Sequence, residues 1–150
     1  MAENIDPQFV VQRIYLKDAS FETPQGAKVF TQKCEPKVNL DVNTRTQRLD
    51  EEHHEVVLRV TVTATGQDDK TLLLIEVNQA GIFLCRGLTN DQLRQVLSTR
   101  APEILFPYVR EAVDSLAVRG SFPPFMLAPI NFDALYQQAI AQAQQNQQTH

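Results

Sequence analysis

The stretch that most constrains the fold is residues 102–136, where an apolar helical stripe leads into an uncharged apolar loop. The apolar residues recur at three-and-four spacing, which places them on one face of an α-helix. Pro102 suits the first helical turn, where its missing N–H would have no partner, and Gly120 is a typical helix stop. The sequence therefore predicts a long helix over residues 102–119. Its stripe consists of Leu105, Tyr108, Val109, Ala112, Val113, Leu116 and Ala117.

The loop after this helix, residues 121–129, carries no charged residue, whereas surface loops are normally polar. Its apolar residues must therefore pack on the rest of the chain, on a partner subunit or on a ligand. Asn131 can cap a further helix, and Asp133 then lies in the first turn, where the helix dipole favours it. The large apolar side chains of the loop are Phe122, Phe125, Met126 and Leu127.

Before residue 90 the apolar residues alternate along the chain, which is the pattern of half-buried β-strands. This pattern predicts strands at residues 9–22, 37–44, 55–65 and 71–83. In the first of them the apolar face changes near Lys17, which a β-bulge or a bend would explain. Residues 44–54 are polar and predict a long hairpin connection, and residues 84–88 predict a loop. The clearest alternation puts Val56, Leu58, Val60, Val62 and Ala64 on one face.

Strands come first in the chain and helices last, which favours an α+β fold. Short turns between the strands predict a four-stranded antiparallel sheet of meander type. We expect a short helix capped by Thr89 or Asn90, the long helix and a C-terminal helix to lie on one side of that sheet. The boundaries that we expect are a flexible N-terminal segment at residues 1–8, a single domain at 9–142 and a disordered Gln-rich tail at 143–150.

Apolar residues lie on both faces of the last strand and on all sides of the long helix. A single layer of helices on a single sheet would leave part of this apolar surface in water. Closed symmetric oligomers are the usual way to bury such surface, so the sequence predicts self-association.

The chain has 150 residues and a net charge of −4. Its length favours one domain, and the mild acidity argues against nucleic acid, whose phosphates need a basic patch. No stretch has the length and apolarity of a membrane span or the pattern of a secretion signal. We therefore expect a soluble protein that stays in the compartment where it is made.

A run of acidic residues and histidines could suggest a zinc site, because imidazole and carboxylate groups bind zinc. Adjacent residues on a strand point to opposite faces, however, and the chain has no HExxH motif and no second cluster with ligand spacing. A solvated turn explains the run better, so we expect no metal and no cofactor. The run consists of Asp50, Glu51, Glu52, His53, His54 and Glu55.

Cys34 and Cys85 are expected to be free thiols in a reducing compartment, since disulfide-stapled domains are usually shorter and richer in cysteine. The sequence leaves a disulfide between the two open. The histidines lie in the polar turn and, as His150, in the tail, so neither cysteine has an evident partner base. With no GxSxG, P-loop or GxGxxG motif either, the sequence predicts no enzyme.

The motifs LFPY, RGSFPP and APINFDALY, between residues 105 and 136, resemble in order and spacing the SecB family of protein-export chaperones. The likeness continues upstream through RIYLKDASFE, EVVLRVTVTA and IEVNQAGIF, and it covers nearly all of residues 9–136. It implies a tetramer built as a dimer of dimers, with long helices between two outer sheets. It also implies an ATP-independent cytoplasmic chaperone that binds unfolded precursor proteins and delivers them to SecA, the translocation motor.

The resemblance further implies which residues form each site. Clients would lie in an apolar groove formed by Phe122, Phe125, Met126, Leu127, Phe132 and Tyr136, near Cys34, which stands where relatives can carry tryptophan. SecA would dock on Asp18, Glu22, Leu74 and Glu76. Subunits would meet through Ile75, Val77, Gln79, Tyr108, Val109 and Leu116. Without the resemblance, the aromatic residues could equally fill core or subunit contacts, and the carboxylates could be ordinary surface charges.

Two other functions compete with this one. A homo-oligomeric scaffold would use the apolar loop only to close the oligomer and would hold no clients. A small enzyme would use a carboxylate such as Glu76 as a base, but the sequence shows no cluster of convergent polar partners for it.

Overall fold

The computed structural model describes residues 6–32 and 35–148, which form a four-stranded antiparallel sheet with α-helices on one side. The strands are β1 (Gln8–Glu22), β2 (Lys37–Arg48), β3 (His53–Thr65) and β4 (Thr71–Arg86). The helices are α1 (Asn90–Ser98), α2 (Arg100–Arg119) and α3 (Phe132–Gln148), and a 3-10 helix at Gly26–Thr31 follows β1. The predicted α+β class is confirmed.

The strand order in the sheet is β1-β4-β3-β2. Hairpins join β2, β3 and β4, as a meander requires. The first strand, β1, instead lies beyond β4, and its connection to β2 crosses the end of the sheet, which gives the strand order of a Greek key. Both β1 and β2 are therefore edge strands.

Several element boundaries differ from the predicted ones. The β2–β3 connection is a tight turn at residues 49–52, in which the Asp50 carboxylate accepts the backbone N–H groups of Glu52 and His53 at 2.9 and 2.8 Å. Strand β4 continues through the predicted loop to Arg86, because β1 and β3 both pair with that end of it. Helix α3 continues six residues past the predicted limit at residue 142.

The pairing of β1 with β4 contains a bulge, which was one of the two predicted explanations for the change of face near Lys17. Leu16 pairs with Gln79 and Asp18 with Asn78, so Lys17 is an extra residue between them. After the bulge, Asp18 and Glu22 face away from the helices, while Phe21 faces the core. A second irregularity between Val11 and Arg13 was not predicted.

Helix α2 packs across the inner face of the sheet and forms the core with it. Full burial of a valine or leucine side chain contributes about 1.5–3 kcal/mol to stability, so this interface holds the fold together. The fully buried residues that meet there include Val56, Leu58, Val60 and Val62 from β3 and Leu105, Val109, Val113 and Ala117 from α2.

Local signals fix the helix ends as predicted. Thr89 and Gln92 form a reciprocal capping box at the start of α1, with distances of 3.2 and 3.0 Å. Asn131 accepts the backbone N–H of Ala134 at 3.0 Å and so caps α3. Gly120 ends α2, and a Cβ there would lie 2.8 and 2.9 Å from ring atoms of Phe21.

Four of the residues predicted at the subunit interface are buried within the chain, which corrects that part of the prediction. Ile75, Val77, Gln79 and Val109 lie in the core of the chain itself, at most 5% exposed, so they have no surface to offer a partner. Any effect of these residues on assembly would have to act through the fold. On α2, Tyr108 is exposed and Leu116 is half-buried, so both remain available for a subunit contact.

Candidate functional site

An apolar groove of about 420 Å³ lies between the 3-10 helix, the edge strand β2 and the first half of the apolar loop. Phe30 and Val38 at its rim are 55% and 48% exposed, which leaves apolar surface open to solvent. A contiguous exposed apolar patch often marks a site that binds a protein or a ligand. The apolar residues that line the groove include Val29, Phe30, Val38, Leu72, Phe122 and Phe125.

Aromatic packing connects this groove to the sheet. The ring of Phe122 lies 5.4 Å from that of Phe30 and 6.2 Å from that of Phe21 on β1. Pro123 and Pro124, which also line the groove, lack a backbone N–H and resist helix formation, so they favour an extended segment here. The loop therefore forms a wall of the groove.

The second half of the loop is anchored by Asp114 of α2. One carboxylate oxygen accepts the backbone N–H groups of Phe125 and Met126, at 2.9 and 3.2 Å. Hydrogen bonds to a charged acceptor are roughly twice as strong as neutral ones. The loop also bends at this point, since Met126 has a φ of 52°. Asp114 was not predicted; its only signal in the sequence is a carboxylate beside the apolar stripe, in the half of the helix where the dipole disfavours it.

The structure separates the predicted groove residues into several locations. Only Phe122 and Phe125 line the groove. Met126, which is 76% exposed, and Leu127 line a smaller cleft of about 270 Å³ beside Arg110. Phe132 is buried with its ring 6.2 Å from that of Phe106, so it packs the helices together.

Tyr136 is half-buried on α3 and lines neither cleft, and Cys34 lies outside the described residues. The sequence missed the contributions of Val29, Phe30 and Val38, which come from two segments distant in the chain.

The four residues predicted to dock SecA lie together on the side of the sheet opposite the helices. We call this surface the acidic sheet face; it consists of Asp18, Glu22, Leu74 and Glu76. Glu22 pairs with Leu74, Ser20 with Glu76 and Asp18 with Asn78. Side chains of directly paired residues lie about 4.5–5.5 Å apart at Cβ. The bulge at Lys17 is what turns Asp18 and Glu22 to this face.

The carboxylates of this face differ in their partners. Glu76 forms an ion pair with Arg59 on β3 at 3.1 Å and accepts a hydrogen bond from Asn78 at 3.4 Å. Asp18 and Glu22 are exposed, and neither has an ion-pair partner among residues 6–32 and 35–146. These two are therefore the carboxylates freest to meet a cationic partner.

A buried carboxylate lies beside this face. Glu55 of β3 is 9% exposed and accepts hydrogen bonds from the hydroxyl of Tyr15 and, at 2.9 Å, from Nζ of Lys17. These two bonds lower the pKa of Glu55. Burial, together with the bond to Glu55, raises the pKa of Tyr15 to about 12.

The histidine-rich turn is held by ordinary surface contacts. His53 Nδ1 lies 2.8 Å from the Asp50 carboxylate, and Arg86 pairs with Glu52 at 2.8 Å. Within the described part of the chain, no three potential ligands are placed to bind a metal. Cys85 is a free, buried thiol, and burial raises its pKa.

Comparison with known proteins agrees with the fold and the motifs. The family profile described as "Preprotein translocase subunit SecB" matches residues 2–143. The protein-export protein SecB of Cellvibrio japonicus is 52% identical over 143 residues, which cover 95% of this chain and 85% of the relative. The chain belongs to the SecB family.

A further relative supports this assignment, and one solved structure shares the fold. The SecB of Hahella chejuensis is 49% identical over 151 aligned residues, covering 98% of this chain and 94% of that protein. The SecB-like chaperone of Mycobacterium tuberculosis, solved with an antitoxin peptide, has a TM-score of 0.66 at 18% identity and is matched over 82% of this chain and 91% of its own. That likeness shows the shared fold. No helix in the described residues of this SecB-family chain is long and apolar enough to cross a membrane.

Proposed function

We propose that this SecB-family chain is an ATP-independent chaperone of the cytoplasm, which binds unfolded precursor proteins and keeps them competent for export. The observation that supports this most is the solvent-open apolar groove, whose rim residues Phe30 and Val38 are left unburied by the fold. The proposal needs no cofactor, no metal and no catalytic step.

The chemistry of the groove suits clients of varied sequence. Contact with aromatic and aliphatic side chains gains free energy from desolvation and dispersion, and neither depends on a particular order of residues. A partner that binds only the unfolded chain shifts the folding equilibrium by mass action. The groove can therefore delay folding without any input of chemical energy.

Assembly into a homotetramer, a dimer of dimers, would multiply this effect. Apolar residues remain exposed on β1, at Val10 and Leu16, and on α2, at Tyr108 and Val118. This surface supports self-association. Several weak grooves on one particle bind a long unfolded chain by avidity, which exceeds the affinity of each groove.

Delivery would use the acidic sheet face. We assign Asp18, Glu22, Leu74 and Glu76 to the docking of SecA, because they form one surface, exposed at Asp18 and Glu22 and half-buried at Leu74 and Glu76, with an apolar residue among the carboxylates. Complementary charge raises the association rate and selects the partner. This surface lies on the side of the sheet opposite the helices, so a client and SecA could be bound together.

The test of client binding compares two exposed apolar residues. Phe30→Ser removes apolar area from the groove, and we expect about threefold to tenfold weaker binding of a urea-denatured protein, measured by fluorescence anisotropy. The matched control is Leu49→Ser, which alters a residue that is 48% exposed in the β2–β3 turn and should leave binding unchanged.

If the unsubstituted protein neither binds the denatured protein nor suppresses its aggregation, the scaffold function replaces this one. The docking surface is tested separately: Glu76→Lys should weaken SecA binding and leave client binding unchanged.

A further inference from the structure

The β-bulge brings opposite charges together on the acidic sheet face. Consecutive side chains of a regular strand point to opposite faces, but a bulge sets two residues against one on the neighbouring strand. Lys17 and Asp18 occupy the bulge, and both line one cleft of about 350 Å³ on the outer face of the sheet. The fold thus places a cation next to a carboxylate proposed to receive a basic partner.

An unrestrained lysine at this position would neutralise Asp18. Its ammonium group lies at the end of a flexible four-carbon chain and can reach neighbouring anions. In the structure this group is held instead by Glu55, 2.9 Å away. Glu55 is itself held by the Tyr15 hydroxyl, so the cation is fixed on the β3 side of the cleft.

The side chain of Glu55 is much more buried than that of Lys17, which limits the contact that Glu55 can make with a partner. Its side chain is only 11% exposed, whereas that of Lys17 is 49% exposed. Glu55 therefore presents little charge of its own to a partner. The other charged groups of the cleft are Asp18, Arg45 and Arg59. Without the Glu55 charge, Asp18 would be the one carboxylate lining the cleft beside Lys17 and Arg45, since the third cation, Arg59, is paired with Glu76.

We infer that Glu55 is a positioning residue for the acidic sheet face: it holds the Lys17 cation away from Asp18 and so keeps Asp18 available to a basic segment of the partner. The inference rests on the proposed docking of SecA at this face. It assigns Glu55 no contact with SecA or with a client.

The first experiment removes the charge of Glu55 and keeps its shape. For the full-length Glu55→Gln protein we expect about fivefold weaker binding of purified SecA at 50 mM salt, with a smaller difference at 300 mM because salt screens exposed charges. Binding of a denatured client should stay within about twofold of the unsubstituted protein, since the groove lies elsewhere. Unchanged SecA binding at low salt would overturn the inference.

The second experiment separates charge placement from a structural defect. Adding Lys17→Met to Glu55→Gln removes the released cation, so SecA binding should recover to within about twofold. A defect in the strand would not be repaired by this second change. A double variant as weak as Glu55→Gln alone would therefore refute the role of Lys17.

Glu52→Gln is the matched control, because it also removes one carboxylate from an ion pair, that of Glu52 in the β2–β3 turn with Arg86 at 2.8 Å. It should leave SecA binding unchanged; an equal loss would mean that net charge alone explains the effect.

If Glu76→Lys has no effect on SecA binding, the proposed docking surface itself fails. If Glu76→Lys weakens binding but Glu55→Gln does not, only the role of Glu55 is lost.

Discussion

The acidic sheet face and the apolar groove are built in different ways. The acidic face arises within two paired strands, where alternation and one bulge decide which side chains point outward. The groove is formed by a 3-10 helix, an edge strand and a loop that are distant in sequence. The first surface depends on register, and the second depends on tertiary packing and on the anchor at Asp114. Substitutions should therefore affect one surface without the other, except where the two meet.

The two surfaces meet at Phe21, which lies on β1 next to Glu22 and packs against Phe122 in the groove wall. Gly120→Ala should disturb both, because the new Cβ would lie 2.8 and 2.9 Å from the ring of Phe21. Overpacking of this kind costs about 1–3 kcal/mol of folding stability. Urea unfolding measures the loss, and binding assays should show that client and SecA affinities fall together.

Ser115→Ala is the control for this change, since residue 115 is exposed on the same helix. Gly120→Ala combined with Phe21→Leu should recover part of the lost stability. A stability equal to that of the unsubstituted protein in Gly120→Ala would show that the end of α2 can move away from β1.

Asp114→Leu should affect the groove alone. Without the carboxylate, the backbone N–H groups of Phe125 and Met126 lose their acceptor. The loss costs about 1–3 kcal/mol for a buried donor and less for the exposed Met126, whose N–H water can reach. We expect about tenfold weaker client binding by anisotropy and faster hydrogen exchange at Phe125 and Met126.

Asp114→Asn retains an acceptor oxygen and should give an intermediate affinity. Glu111→Gln, an exposed carboxylate on the same helix, should behave like the unsubstituted protein. If Asp114→Leu also weakens SecA binding, the two surfaces are more strongly coupled than their geometry indicates.

Tyr15 offers a test of the acidic side of the sheet by pH. Its pKa in the folded chain is about 12, above the ordinary value of 10.0, so the folded state favours the neutral phenol. This contribution to stability is complete below pH 10.0 and is lost as the pH rises toward 12. Urea midpoints measured from pH 9 to 11.5 should therefore fall more steeply for the unsubstituted protein than for Tyr15→Phe. Parallel slopes would contradict the assignment.

The smallest expected effect is a gain of affinity. Arg59 pairs with Glu76 at 3.1 Å and competes with any basic partner for it. Arg59→Gln should therefore tighten SecA binding about twofold at low salt, as expected for a partly exposed ion pair. Arg45→Gln removes a nearby cation that has no ion pair in the described residues, and it should have a weaker effect. Equal effects of the two changes would point to general charge and not to the ion pair.

The contrast between the surfaces also explains what the sequence could predict. Alternation in β3 and the change of face at Lys17 are local patterns, so the core strands and the shared face of Asp18 and Glu22 follow from them. The grouping of these two with Leu74 and Glu76 came from the resemblance. The end of β2 was missed because polar residues such as Arg45 and Gln47 suit an exposed edge strand as well as a loop. The end of β4 was missed because it is set by pairing with β1 and β3, which are distant in sequence. Of the six predicted groove residues, only Phe122 and Phe125 line the groove, since no local pattern connects Phe30 and Val38 with Phe122.

Residues at the centre of β4 show a different limit. Ile75 and Val77 were expected at a subunit contact, but α2 covers them within the chain. Sequence alternation tells which side of a strand is apolar, and it does not tell whether the covering layer belongs to the same chain. That distinction requires the packing of α2 on the sheet.

The strand order leaves two different edge strands, β1 and β2, each with a row of backbone groups that no neighbouring strand satisfies. If copies joined β1 to β2 without closing into a ring, every addition would expose a fresh edge strand and the product would be an open ribbon. If copies join like to like, growth stops after a pair. Pairing through the sheet edges would stop at two copies only if β1 pairs with β1 and not with β2, and the irregular course of β1 gives that edge a distinct shape.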